Sequence, residues 1–357
     1  MSCLSEEVGE KGGGEVGDKG LDKGPEEAAG RPMTCASSSP CSSPSAAGDL
    51  LVLAGPTAVG KSAVALGLAQ RLGGEIVSVD SMQVYRGLDI GTAKPSPEER
   101  ARVPHHLIDV AGVGEAFDAA RFARLAGEAV AGIRARGRVP ILCGGTGLYF
   151  RAFFEGLGQA PPGDAALRAT LSSTPLPELL RELAERDPPT YSRIDRQNPR
   201  RVIRALEVIR LTGRPFSEQR AEWDRGLQTG GRRCVLLGLE RAAGDLRRRI
   251  DGRVQEMFRR GLVAETEQLL QQGLGQNPTA MQALGYRQAA EYLAGKRSLE
   301  ETVELVKIRT RQLAKRQMTW FRRQMRLRWI RLEGEPATER VVDLLSRTAW
   351  CSLDALK

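Results

Sequence analysis

The octapeptide Gly55-Pro56-Thr57-Ala58-Val59-Gly60-Lys61-Ser62 constrains this chain more than any other stretch. It fits G-x-x-x-x-G-K-[ST], the phosphate-binding loop that joins a buried strand to a helix. The flanks agree with that context. Leu50–Ala54 is a short apolar run, and Val64, Leu68 and Leu72 recur as one stripe of a helix that Gly73 and Gly74 stop. The glycines let backbone N–H groups converge on phosphate oxygens, and the helix N-terminus adds partial positive charge. Lys61 is placed to neutralise the terminal phosphate, and Ser62 to hold Mg²⁺.

The rest of the chain extends this unit. Residues 75–79 form another buried-strand pattern, ending at Asp80. A helix around 117–136 leads to a third apolar run, 139–143, which ends in Gly144-Gly145-Thr146-Gly147. Strands alternating with helices predict an α/β fold, a P-loop NTPase-like three-layer parallel sheet. Beyond Gly158 the character changes. Pro161 and Pro162 mark a break, and residues 164–224 read as helical and arginine-rich. Residues 234–239 look like a strand returning to the sheet. The segments 245–273 and Leu299–Gln324 read as long amphipathic helices, and 327–332 as a last strand. The expected organisation is a catalytic core of 49–159 and 226–335, a helical insertion at 160–225 and a C-terminal extension at 336–357. Residues 1–48, rich in Gly, Ser, Pro and Glu, lack the apolar clusters that offset ordering entropy and read as a disordered tail.

Charge and composition narrow the class. No run approaches the ~18 apolar residues of a membrane span. The acidic N-terminus fits neither a secretory signal nor a transit peptide. The six cysteines show no metal-like or disulfide-like spacing, so reduced thiols and a cytoplasmic location are expected. The net charge of +9 permits a polyanionic partner. Between 307 and 331 there are ten Lys or Arg and no acid, which favours a phosphate-contacting helix face over a merely solvated one. Trp320, Phe321 and Trp329 in that segment read as core residues rather than base-stacking platforms.

A phosphate loop does not say which bond breaks. In kinases and ATPases the relevant strand ends in an Asp that helps hold Mg²⁺. Here the run 139–143 ends in Gly144, the acid is Asp80 at the end of the preceding strand, and Thr146 occupies the third strand's exit. A phosphate clamp beside a carboxylate, without that usual acid, points to chemistry other than ATP hydrolysis.

Several segments together resemble the tRNA dimethylallyltransferases, the IPP transferase family. They are the octapeptide 55–62, VDSMQVY at 79–85, DIGTAKP at 89–95, PHHLID at 104–109, GGTGLY at 144–149, RVIRALE at 201–207, QALGYR at 282–287 and RQLAKRQ at 311–317. They run in the family's order and span about residues 50–333. The resemblance implies transfer of a dimethylallyl group from dimethylallyl diphosphate to N6 of the adenosine 3′ of the anticodon, with Mg²⁺. It implies that the diphosphate sits on residues 55–62 with Arg249, although Arg247, Arg248 and Arg253 are near in sequence. Asp80 would take the N6 proton, with capping or a Mg²⁺ link as its alternative role. Thr146 would contact substrate, a role compatible with a helix N-cap. Implied tRNA contacts are Asp80, Ser81, Met82, Gln83, Thr146, Arg168, Arg200, Arg201, Val202, Ile203, Arg204, Gln282, Ala283, Leu284, Gly285, Tyr286 and Arg287. The insertion would clamp a tRNA anticodon stem-loop whose target base is turned out of the stack.

Asn198 departs from the pattern, standing where the family has Asp. No Cys/His zinc-finger module follows the core, which favours a bacterial member. The chain is expected to act as a monomer. Rival readings are an adenylate isopentenyltransferase using free AMP or ATP, a small-molecule P-loop kinase, and a non-catalytic RNA-binding protein.

Overall fold

The computed structural model describes residues 50–221, 234–333 and 337–348. Its elements run β1 (Leu50–Ala54), α1 (Lys61–Leu72), β2 (Gly74–Val79), α2 (Pro97–Arg102), β3 (His105–His106), α3 (Ala119–Ala135), β4 (Val139–Gly144) and α4 (Gly147–Glu155). Helices α5 (Ala165–Ser173), α6 (Leu176–Arg186), α7 (Pro188–Arg193), α8 (Pro199–Thr212) and α9 (Phe216–Gln219) follow. The chain continues through β5 (Cys234–Glu240), α10 (Ala243–Arg259), α11 (Leu262–Gln271), α12 (Tyr286–Leu293), α13 (Leu299–Gln324), β6 (Arg328–Arg331) and α14 (Ala337–Thr348).

The six strands form one parallel sheet in the order β3-β2-β4-β1-β5-β6. Alternation along β1 shows why both faces must be covered. Leu50, Val52 and Ala54 join one apolar cluster, Leu51 and Leu53 another, and all five are fully buried. The first cluster is closed by residues of α3, α4, α11 and α13, the second by α1 and α14.

Register decides where the strands deliver their last residues. Ala54 stands opposite Gly144 and Gly238, and Val79 opposite Gly144. The residues that follow β1, β2 and β4 therefore leave the sheet at one carboxyl edge, where open α/β sheets bind ligands. Gly144 explains the missing strand-end acid. A Cβ there would lie 2.0 Å from the Val79 carbonyl oxygen, so no side chain fits.

Two expectations need correction. The segment 245–273 is two helices, because Gly261 adopts φ 96° and ends the run between α10 and α11. The extension at 336–357 is not apart from the core over its described part. Val341, Val342 and Leu345 of α14 are buried in the sheet's second cluster, and Arg71 of α1 pairs with Asp343. The insertion contributes α5 to α9, with a cluster of its own around Leu171, Leu179, Leu183, Val202 and Leu206. The expected tail at 1–48 and the whole stretch 222–233 lie outside the described residues. Phe321 is fully buried, and Trp320 and Trp329 pack against the main cluster, as core residues do.

Candidate active site

The loop 55–62 is held by backbone geometry first. Gly55 adopts φ 152°, and a Cβ there would meet the Leu239 carbonyl oxygen at 2.7 Å. Gly60 turns into α1 at φ 112°, and Ala58 between them takes φ 63°, a left-handed conformation uncommon for a residue with a Cβ. The N-terminus of α1 thereby faces the loop, and Lys61 Nζ donates to the Pro56 carbonyl at 2.7 Å. Burial pushes the Lys61 ammonium down to about 8, partly offset by Cys143 and Asp80.

Arginines grip the loop's carbonyls from outside. Arg249 Nε donates to Ala58 O at 3.1 Å. Arg241 Nε donates to Val59 O at 2.8 Å, while its Nη1 pairs with Asp245 at 2.9 Å. Of the three consecutive arginines at 247–249, Arg249 reaches the loop, and Arg247 and Arg248 are exposed. Arg253, one turn further, lines the cavity with Asp80. Its guanidinium is desolvated by burial, and the Asp80 charge offsets part of that cost. Arg241 escaped sequence reasoning because an arginine just after a strand carries no motif.

Asp80 leaves β2 into a tight turn. Its Oδ1 accepts N–H bonds from Met82 at 2.8 Å and Gln83 at 3.3 Å, which fixes the carboxylate. Among the described residues Oδ2 accepts no hydrogen bond, so it is the oxygen open to an incoming donor. Thr146 stands at the N-cap position of α4 without capping it. Its hydroxyl accepts instead from Ser81 N–H at 3.2 Å, tying the β4 exit to the β2 exit.

These groups open into one cavity of about 850 Å³. Thr57, Asp80, Ser81, Met82, Gly145 and Thr146 line it at the sheet edge. Arg200 of α8 lines it, as do Gln282, Ala283, Leu284 and Arg287, and Arg309, Arg316 and Gln317 of α13. Arg201 is exposed and Ile203 half-buried beside it on α8. The arrangement can hold a diphosphate at one end and accept a proton a short way off.

Other expected contacts stand elsewhere. Val202 and Tyr286 are fully buried, and Gly285 is buried, so they shape the surface from behind. The Tyr286 hydroxyl donates to Glu265 and accepts from Gly91 N–H at 3.0 Å, which pins the loop 89–92. Gln83 turns inward, its amide donating to the Thr92 and Ala93 carbonyls at 3.1 and 3.3 Å. Arg168 and Arg204 meet on Glu207, fully buried, at 2.9 and 2.6 Å. Burial pushes the Glu207 carboxyl up, but these two guanidiniums hold it below the usual carboxylate range. They clasp the insertion rather than extend as free cations. Nor is the basic run all free: Lys307 pairs with Glu304, Arg311 with Asp251, Arg322 with Glu240 and Arg331 with Glu333.

Among the described residues no group of three His, Cys, Asp or Glu could cage a metal. A Mg²⁺ here would take the exposed Ser62 hydroxyl, diphosphate oxygens and water, which matches how Mg²⁺ binds at phosphate sites.

Fold and site together define a phosphate-loop α/β enzyme whose cradle faces a carboxylate instead of a strand-end Mg²⁺ acid. The model of the IPP transferase family matches residues 83–324, and the chain belongs to that family. It is 45% identical to tRNA dimethylallyltransferase 2 of Geotalea uraniireducens over 293 residues, 81% of this chain and 94% of that one. It is 50% identical to the tRNA dimethylallyltransferase of Halorhodospira halophila over 281 residues, 77% and 90% of the two. The tRNA isopentenylpyrophosphate transferase of Bacillus halodurans superposes with TM-score 0.61 at 36% identity, over 86% of this chain and 99% of that one. A eukaryotic dimethylallyltransferase acting on tRNA superposes with TM-score 0.69 at 28% identity, over 84% and 80%. No helix among the described residues is long and apolar enough to cross a membrane.

Proposed function

We propose that this chain transfers a dimethylallyl group from dimethylallyl diphosphate to N6 of the adenosine immediately 3′ of the anticodon in tRNA, releasing diphosphate. The observation that carries this reading is the shared cavity. Thr57 of the phosphate loop, Asp80 and the basic residues Arg200, Arg287, Arg309 and Arg316 all border it. The names of the relatives, tRNA dimethylallyltransferases, support the same substrate.

In the reaction the allylic C–O bond breaks as N6 bonds to the primary carbon. Backbone N–H groups of the loop, Lys61 and the arginines of α10 stabilise the charge growing on the departing diphosphate. Mg²⁺, when bound, supplies further charge neutralisation on the diphosphate oxygens. The exocyclic amine is a poor nucleophile because its lone pair is delocalised into the ring. Asp80 orients it and takes its proton through Oδ2, while Oδ1 stays anchored to the turn. Thr146 and Met82 border the path of the flipped base. We read the acting unit as a monomer.

The test is incubation of purified protein with dimethylallyl diphosphate, Mg²⁺ and unmodified tRNA beside free AMP, followed by nucleoside mass spectrometry. Prenylated adenosine in tRNA alone is the expected result. Prenylation of AMP with tRNA unchanged would make the chain an adenylate isopentenyltransferase. In a parallel incubation with ATP, release of phosphate would make it an ATPase, and phosphorylation of a small acceptor a kinase.

A further inference from the structure

We propose that Gln317 is a positioning residue for the donor, a strut that sets the entrance of the phosphate loop; this rests on the functional reading above. Its Oε1 accepts the Thr57 N–H at 2.9 Å, and its Nε2 donates to the Gly145 carbonyl at 3.0 Å. One side chain thus joins the loop after β1 to the turn after β4, across the edge where donor and carboxylate meet. A neutral amide suits this spot, since it accepts and donates at once. Glu would set a carboxylate against the Gly145 carbonyl, and an apolar residue would leave both backbone groups unpaired.

Two further observations show that the strut is built in. A Cβ at Gly145 would lie 2.5 Å from Gln317 Nε2, so any side chain there must displace the amide from its place. The helix that carries Gln317 is itself fixed near its C-terminus. Arg151, fully buried, donates to the Gln324 carbonyl at 3.1 Å and to its side-chain oxygen at 3.0 Å. The same helix lines the cavity with Arg309 and Arg316, so the wall on the RNA side also holds the donor cradle in shape.

Gln317→Met keeps length and volume while removing both hydrogen bonds. It should raise the donor KM, and weaken binding of inorganic diphosphate with Mg²⁺ in calorimetry, by about tenfold, the scale of one or two lost hydrogen bonds. The Kd for tRNA should stay within about twofold, because phosphate contacts elsewhere supply most of that affinity. Gly145→Ala, which pushes the amide aside, should give the same signature. The double variant should be no worse than the more damaged single, since both break one strut. Unchanged diphosphate affinity in Gln317→Met, additive losses in the double variant, or an equal loss of tRNA binding would each overturn the proposal. Failure of the wild-type protein to prenylate tRNA would sink the functional reading, and diphosphate calorimetry would still decide Gln317.

Discussion

At the scale of single residues, the site separates two jobs that the sequence places 19 positions apart, at Lys61 and Asp80. Asp80→Asn preserves size but loses the base and the charged acceptor. It should slow single-turnover transfer at saturating donor and tRNA by ~10²-fold or more, the scale of a positioned general base. Retention of tRNA on filters should change far less, because phosphate contacts elsewhere supply most of the affinity. Near-normal single-turnover rates would make Asp80 a turn-forming acid and nothing more. Lys61 gives a pH dependence whose sign follows from its burial. The free ammonium is pushed down to about 8, and diphosphate binds the protonated form. Donor affinity should therefore fall as the pH rises through about 8. Lys61→Met should flatten that limb, and a limb that persists in the variant would assign the titration to another group.

At the scale of elements, α13 shows how a charge run divides once it is folded. The alkaline stretch 307–331 reads as one surface, yet Arg322 is 2.8 Å from Glu240 and lies over the Trp329 ring at 5.8 Å. Arg309 and Arg316 are exposed and border the cavity. Arg309→Ala and Arg316→Ala should each weaken tRNA binding and reduce its log–log salt slope by about 0.7–0.9 per lost phosphate contact. Arg322→Ala should move that slope less, because its charge is already matched. Equal slopes for all three would return Arg309 and Arg316 to an ordinary solvated face. The insertion teaches the same lesson. Arg168 and Arg204 look alike in the sequence as RNA-facing cations, but both are spent on Glu207, which is fully buried.

At the scale of the whole molecule, α14 covers the face of the sheet behind the phosphate loop. Gly67 of α1 makes room for it, since a Cβ there would lie 2.9 Å from Val342 Cγ2. Three buried aliphatic side chains, Val341, Val342 and Leu345, contribute about 5 kcal/mol by area, an upper figure given a compact unfolded chain. Ending the chain at Glu333 should then lower the melting temperature by many degrees and weaken donor binding with it, because α1 carries Lys61. A truncated protein that melts with the full chain would show that α14 contributes nothing to the core.

Much of this was legible from residues alone. The octapeptide, its apolar strand before and its helical stripe after determined the phosphate loop, because local backbone geometry leaves that motif few other uses. Alternating apolar runs determined a parallel α/β sheet, and the ordered set of segments determined the family. What the tertiary structure decided was partnership. Whether an arginine is a clamp, an internal clasp or a free cation depends on which carboxylate or carbonyl lies near it, often more than a hundred residues away. Arg241 on Val59, Gln317 between Thr57 and Gly145, and Arg322 on Glu240 are of this kind. No periodicity or spacing encodes such pairs. They arise because strand register aligns Ala54, Val79 and Gly144 and so gathers distant loops at one edge, where each polar group must find a partner or face the cavity.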